Sequence, residues 1–196
     1  MNITPVWAIF IGSIFTNNIL FASFLGMCSF LVCSNKIDTA LGLGSAVVFV
    51  MFCTTILNYV LYYYLLVPLK LEFLGFLIFI AVIAAFVQFV EMFVERFSPD
   101  LYYALGIFLP LITVNCAILG AALFMVIRKY NFVQSTFYGL GAGLGWALAI
   151  VLMAGLREKM GYSNVPTPLR GTGVVMMVAG VIAMAFMGFA GMLNIQ

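Results

Sequence analysis

The chain has 196 residues, of which 66% are hydrophobic and only 7% charged, and its formal net charge is +2. Soluble globular proteins carry about 25% charged residues, so no water-soluble fold hides this much apolar surface at this length, and the solvent must be lipid. The small, scattered charge gives no footing for nucleic-acid binding. The absence of histidine removes histidine general bases and proton relays, His-ligated haem and most zinc sites. What remains for chemistry is four cysteines (Cys28, Cys33, Cys53 and Cys116), asparagine, methionine and a few carboxylates.

Charge-free runs cover residues 1–35, 39–69, 73–90, 101–127, 130–156 and 171–196, each at least 18 residues long. A spanning helix needs about 20 apolar residues, so the pattern predicts an all-α integral membrane protein of six transmembrane helices in a single domain, 1–196. The first run opens on MNITPVWAIF, which lacks the basic segment and cleavage site of a signal peptide and is expected to begin the first helix. Asn17 and Asn18 interrupt its middle, and Cys28 follows in Phe24-Leu25-Gly26-Met27-Cys28.

The second run carries Gly42-Leu43-Gly44 and Cys53, and ends in Tyr59, Tyr62, Tyr63 and Tyr64, as an interfacial aromatic belt does. The third places Gln88, Glu91 and Glu95 on one helical face. An intramembrane carboxylate is a functional candidate by default, which puts Glu91 on a candidate cation pathway. The bland alternative is that it is solvated at the interface marked by Glu95, Arg96 and Asp100.

The fourth run contains Pro110, Thr113, Asn115 and Cys116. Proline removes a backbone hydrogen bond, and freed backbone groups survive in lipid only where protein or a lined cavity satisfies them. Helices 1 and 4 are therefore expected to be broken near the midplane, with Asn18 and Asn115 at the breaks. The fifth run holds the alternating Gly139, Gly141, Gly143 and Gly145. With no strand before it and no spaced acid after it, this is no dinucleotide fingerprint; Gly141 and Gly145 form a small-xxx-small packing surface.

A faint internal repeat ties these features together. Thr16-Asn17-Asn18 matches Thr113-Val114-Asn115, and Gly42-Leu43-Gly44 matches Gly139-Leu140-Gly141, both at an offset of 97. Two matches at one offset predict a duplicated three-helix unit, in halves of about 1–97 and 98–196. Three is odd, so the second copy enters the membrane inverted, an arrangement that puts functional sites near the midplane. Lys36, Arg96, Arg157, Lys159 and Arg170 fall on one side, and Lys70, Arg128 and Lys129 on the other. The positive-inside rule then places the larger set in the cytoplasm and both termini outside.

Cysteine spacing gives no metal signal by itself. Cys28 and Cys33 lie about 140° apart around a helix, no C-x2-C pair occurs, and buried cysteines are usually packing residues. A small inverted-repeat transporter, binding Na⁺ or a solute through Asn18, Asn115 and backbone carbonyls, is thus one open reading.

The motifs Phe24-Leu25-Gly26-Met27-Cys28 and Leu105-Gly106-Ile107-Phe108-Leu109-Pro110-Leu111-Ile112-Thr113-Val114-Asn115-Cys116-Ala117 resemble the family that contains NqrE, a component of the sodium-translocating NADH:quinone reductase, and RnfA, a component of the Rnf electron-transport complex. The resemblance runs over essentially the whole chain and includes Gln88 and Glu91-Met92. Trp146, the segment Phe124–Tyr130 and the segment Arg157–Ser163 look more like the reductase branch, while Thr16-Asn17-Asn18 looks more like the Rnf branch; the reductase branch is favoured. The resemblance implies an electron-transfer component of an ion-pumping respiratory complex in the bacterial inner membrane, coupled to Na⁺ export and not catalytic alone. It implies that Cys28 and Cys116 are two of the four thiolates of an intramembrane [2Fe–2S] cluster. The other two come from a homologous partner (NqrD-like or RnfE-like), and NAD, flavins and quinone belong to other members of the complex. Cys33 and Cys53 are left as packing residues.

Overall fold

A computed structural model of the chain describes residues 5–70, 72–97, 109–161 and 171–190. Those residues are helical and contain no strand. The first run does not form one helix. It is divided into α1 (Val6–Ile14), α2 (Ile19–Ser23) and α3 (Met27–Cys33). The second forms α4 (Ile37–Leu61), which passes through a π-helical turn at Tyr62–Leu66 into the short α5 (Val67–Leu69). Pro68 explains the widened turn: its ring would collide with the carbonyl four residues back, and the Val67 N–H bonds to Tyr62 instead, one residue further than in an α-helix. The third run forms α6 (Gly75–Phe97), the fourth α7 (Leu109–Thr113) and α8 (Cys116–Ile127), the fifth α9 (Phe132–Gly161) and the sixth α10 (Thr172–Ala190).

Three helical stretches are long and apolar enough to cross a membrane: Ile37–Leu69, Gly75–Phe93 and Phe132–Gly161. Leu111–Ile127 and Thr172–Gly188 are shorter apolar stretches. The expectation of six spanning helices is thus met in part, because two of the runs spend residues on breaks rather than on continuous helix. In the fourth run the break does not fall at the proline. Pro110 is the second residue of α7, and the helix stops four residues later, at Val114. Arg170, Tyr102, Tyr103, Tyr162 and the Leu105–Phe108 part of the long motif lie outside the described residues.

The core is built around α9, which packs chiefly on α4 and then on α1. Its alternating glycines make this possible in two directions. A Cβ at Gly141 would lie 2.9 Å from the Phe10 carbonyl oxygen, and one at Gly145 3.0 Å from that of Ser13, both at α1. A Cβ at Gly139 would lie 2.7 Å from Thr55 Oγ1 and one at Gly143 3.1 Å from Val48 Cα, both on α4. The small-xxx-small surface read at Gly141 and Gly145 is therefore one of two, offset by two residues on the same helix. On α6 Gly75, Phe79, Ile83 and Val87 form a buried stripe, whereas Phe76, Leu77, Ile80, Phe89 and Phe93 are exposed. An outer helix apolar on all sides is what a lipid solvent allows.

Contacts between runs fix their relative directions. Arg157, near the end of α9, donates to the Leu31 carbonyl and the Ser34 hydroxyl at the end of α3. At the other end, Tyr59 of α4 meets Phe132 of α9, and Phe10 of α1 meets Phe137 of α9. The first and fifth runs therefore run parallel to each other, and the second runs antiparallel to both.

Candidate functional site at the broken helices

One break in each of the first and fourth runs is closed by an asparagine. Asn18 is the N-cap of α2 and accepts from the Leu20 N–H; Asn115 is the N-cap of α8 and accepts from the Ala117 N–H. Asparagine is among the preferred caps because its short side chain reaches the orphan donors of the first turn. The two caps do the same work at positions 97 apart in the sequence. Both are buried, and their amide nitrogens tie the breaks to the core. Asn18 Nδ2 donates to the carbonyls of Ile14 and Gly145, at 3.0 and 2.8 Å, and Asn115 Nδ2 donates to Ser29 Oγ at 3.3 Å.

A second break in the first run builds the cysteine environment. α2 ends with Phe24 at φ 54°, and the Phe24 and Leu25 N–H groups both bond back to the Ile19 carbonyl. A bulky residue in the left-handed region is uncommon and strained. Gly26, at φ 83°, then serves as N-cap of α3. The two left-handed residues turn the Gly26 N–H onto Cys116, which accepts it at Sγ over 2.9 Å. Cys28 follows two residues later in the first turn of α3. Residues 88 apart in sequence, from the first and fourth runs, are thereby brought to one corner of the fold.

The surroundings of this corner explain why position 26 is glycine. A Cβ there would lie 2.5 Å from Trp146 Nε1, 3.1 Å from Ala117 Cβ and 3.2 Å from Asn115 Oδ1. Trp146 is wholly buried, and its indole nitrogen has no hydrogen-bond partner among the described residues. The residue before it, Gly145, receives the Asn18 amide. The pair Gly145-Trp146 on α9 therefore joins both broken runs, a role that sequence reasoning missed. Its visible signal was a tryptophan directly after a glycine run in a charge-free span.

The four cysteines are not equivalent. Cys28 is exposed, Cys116 and Cys53 are half-buried, and Cys33 is buried. Among the described residues no three or more His, Cys, Asp or Glu side chains gather as a metal-binding group. The Cys28–Cys116 corner offers two soft sulfur donors, fewer than the four ligands of a closed tetrahedral thiolate site. Glu91 is half-buried on α6, with Gln88 and Glu95 exposed beside it.

Comparison with known proteins places the chain in a family. The family description "Rnf-Nqr subunit, membrane protein" matches residues 6–193. The chain is 53% identical to the E subunit of the Na(+)-translocating NADH-quinone reductase of Psychrobacter sp. (strain PRwf-1) over 94% of this chain and 96% of the relative. It is 53% identical to the protein of the same name from Psychromonas ingrahamii, with the same coverage. The Maridesulfovibrio salexigens counterpart is 52% identical over 93% and 96% of the two chains. The chain belongs to the Rnf-Nqr family of membrane-protein subunits.

Proposed function

We propose that this chain is the NqrE-type membrane component of a Na⁺-translocating NADH:quinone reductase, and that Cys28 and Cys116 give it half of the ligands of an intramembrane [2Fe–2S] cluster. A homologous partner supplies the other two thiolates, and the nicotinamide, flavin and quinone chemistry belongs to the remaining members of the complex. The carrying observation is the hydrogen bond from the Gly26 N–H to Cys116 Sγ, which places the Cys28 turn against the start of α8. The high identity to relatives named as the E subunit of the reductase supports that branch over the Rnf branch.

The donor set fits such a group. A [2Fe–2S] centre takes four thiolates, two come together here, and the exposure of Cys28 leaves it open to a neighbouring chain. When bound, the cluster supplies a one-electron relay within the membrane. The chain's own part is to hold the two sulfurs, to aim a main-chain N–H at one of them, and to keep the corner dry. A donor on a ligating sulfur stabilises its negative charge and tunes the potential.

The same architecture supports six crossings in two inverted halves, with Asn18 and Asn115 as equivalent caps at the breaks. Both termini then lie on the periplasmic face of the inner membrane. Glu91, half-buried on the outer helix α6, is assigned to the cation path coupled to this electron transfer. In the rival reading, the asparagines of a secondary transporter hold the solute. Their amides instead cap α2 and α8 and bind Gly145 and Ser29, which favours a structural role for both at the cluster surroundings.

The test is a set of partial reactions on the purified complex. Cys28→Ala or Cys116→Ala should abolish NADH-driven quinone reduction and Na⁺ transport, while NADH oxidation by artificial acceptors at the flavin-bearing partner persists. Undiminished quinone reduction in either variant would refute the reading.

A further inference from the structure

We propose that Trp146 is a positioning residue for the group held at Cys28 and Cys116, its indole N–H donating a hydrogen bond to a sulfur there. This rests on the cluster reading above.

The indole nitrogen is a donor only, and buried donors in folded proteins are almost always paired. Here the ring is wholly buried and the N–H has no partner among the described residues. Its position is fixed against Gly26: Nε1 lies 2.5 Å from where a Gly26 Cβ would be, a position that Ala117 Cβ and Asn115 Oδ1 also approach, to 3.1 and 3.2 Å. Gly26 is the residue whose N–H already reaches Cys116 Sγ, and Cys28 lies two residues further on. The unpaired donor therefore sits against the turn that leads into Cys28 and whose Gly26 N–H reaches Cys116 Sγ.

A packing role alone accounts for the ring but not for the direction of its nitrogen. The other buried polar side chains without partners on α4 and α9, Asn58 and Ser135, lie towards the Tyr59–Phe132 end of that helix pair, away from this corner. Asn115 Oδ1, near the same Gly26 position, accepts from the Ala117 N–H at 3.0 Å and receives no bond from the indole. A sulfur bearing negative charge is the acceptor that completes the arrangement. A hydrogen bond to it stabilises the reduced form and raises the midpoint potential.

The experiment uses the intact complex grown with ¹⁵N-indole tryptophan, with Trp7→Phe as the background. Pulsed EPR of the reduced centre should show a ¹⁵N coupling that disappears in Trp146→Phe, which keeps an aromatic ring and loses only the donor. That variant should keep its iron and show a lower midpoint potential. The inference is overturned if the centre is present and depends on both cysteines, yet shows no ¹⁵N coupling, or if Trp146→Phe leaves both coupling and potential unchanged. Should Trp146→Phe fail to assemble, the labelled parent decides alone, since absence of the coupling there is sufficient to reject it. Iron that survives loss of Cys28 and Cys116 would instead reject the underlying cluster reading.

Discussion

Gly26 is the residue on which the geometry of the site turns. Its φ of 83° belongs to the left-handed region, which costs other residues about 1–2 kcal/mol. Its missing Cβ is also what admits the Trp146 ring, whose Nε1 would stand 2.5 Å from it. Gly26→Ala should therefore lower stability by about 2 kcal/mol or more, combining left-handed strain with an overpacking cost of about 1–3 kcal/mol. Thermal unfolding of the detergent-solubilised complex measures this, and iron should be lost in parallel as the turn leaves Cys116. Neither the glycine's role nor its partner is legible in the sequence. Gly26 stands inside a motif there, but the left-handed pair Phe24 and Gly26 is a property of backbone angles that composition does not reveal. The cysteines are legible only as one per half; that they share a corner requires the fold.

Among the elements, the two breaks at the asparagines are legible in the sequence and their cause is not. The second break of the first run, at Phe24–Gly26, is not legible at all. Hydropathy marks the polar interruptions at Asn17-Asn18 and Thr113–Asn115, and both become helix boundaries. Proline is the expected agent in the fourth run, yet Pro110 lies within α7, and Asn115 starts the next helix by capping it. A capping side chain competes with helix continuation as effectively as a missing N–H does. The glycine run of α9 behaves in a similar way: periodicity exposes one packing face, and the second appears only with α1 and α4 both in place.

This two-sided packing is testable within one helix. A Cβ at Gly143 would meet the Val48 backbone at 3.1 Å, whereas one at Gly155 would meet nothing within 4 Å. Backbone cannot retreat as a flexible side chain does. Gly143→Ala should therefore destabilise by about 1–3 kcal/mol. Gly155→Ala should be neutral, or stabilise by up to about 1 kcal/mol through reduced chain entropy. Equal melting temperatures for the two variants would contradict the close α4–α9 approach.

Taken whole, the molecule is a core of α4 and α9 with broken helices laid against it, and its polar chemistry is concentrated at the breaks. The parallel first and fifth runs and the antiparallel second, fixed by Arg157 against Leu31 and Ser34 and by Tyr59 against Phe132, match the alternation of the Lys and Arg sets along the chain. Composition alone establishes the lipid solvent. The side of the membrane is legible only as a bias of five basic residues to three, because helix packing is insensitive to which leaflet is cytoplasmic. A reporter fused after Gln196 should be active only in its periplasmic form; an active cytoplasmic reporter would reverse the orientation.

In the proposed complex, two cysteines of this chain and no others bind the shared cluster. The decisive measurement is iron per purified complex for single alanine variants at Cys28, Cys33, Cys53 and Cys116. Cys33 is buried and Cys53 half-buried, and removing a small sulfur from such sites costs about 1 kcal/mol in lost contacts and cavity formation, so those two variants should retain their iron. Cys28→Ala and Cys116→Ala should each lose the iron of one two-iron centre, together with its EPR signal on reduction. Equal iron in all four variants, or loss at Cys33 with retention at Cys116, would contradict the assignment.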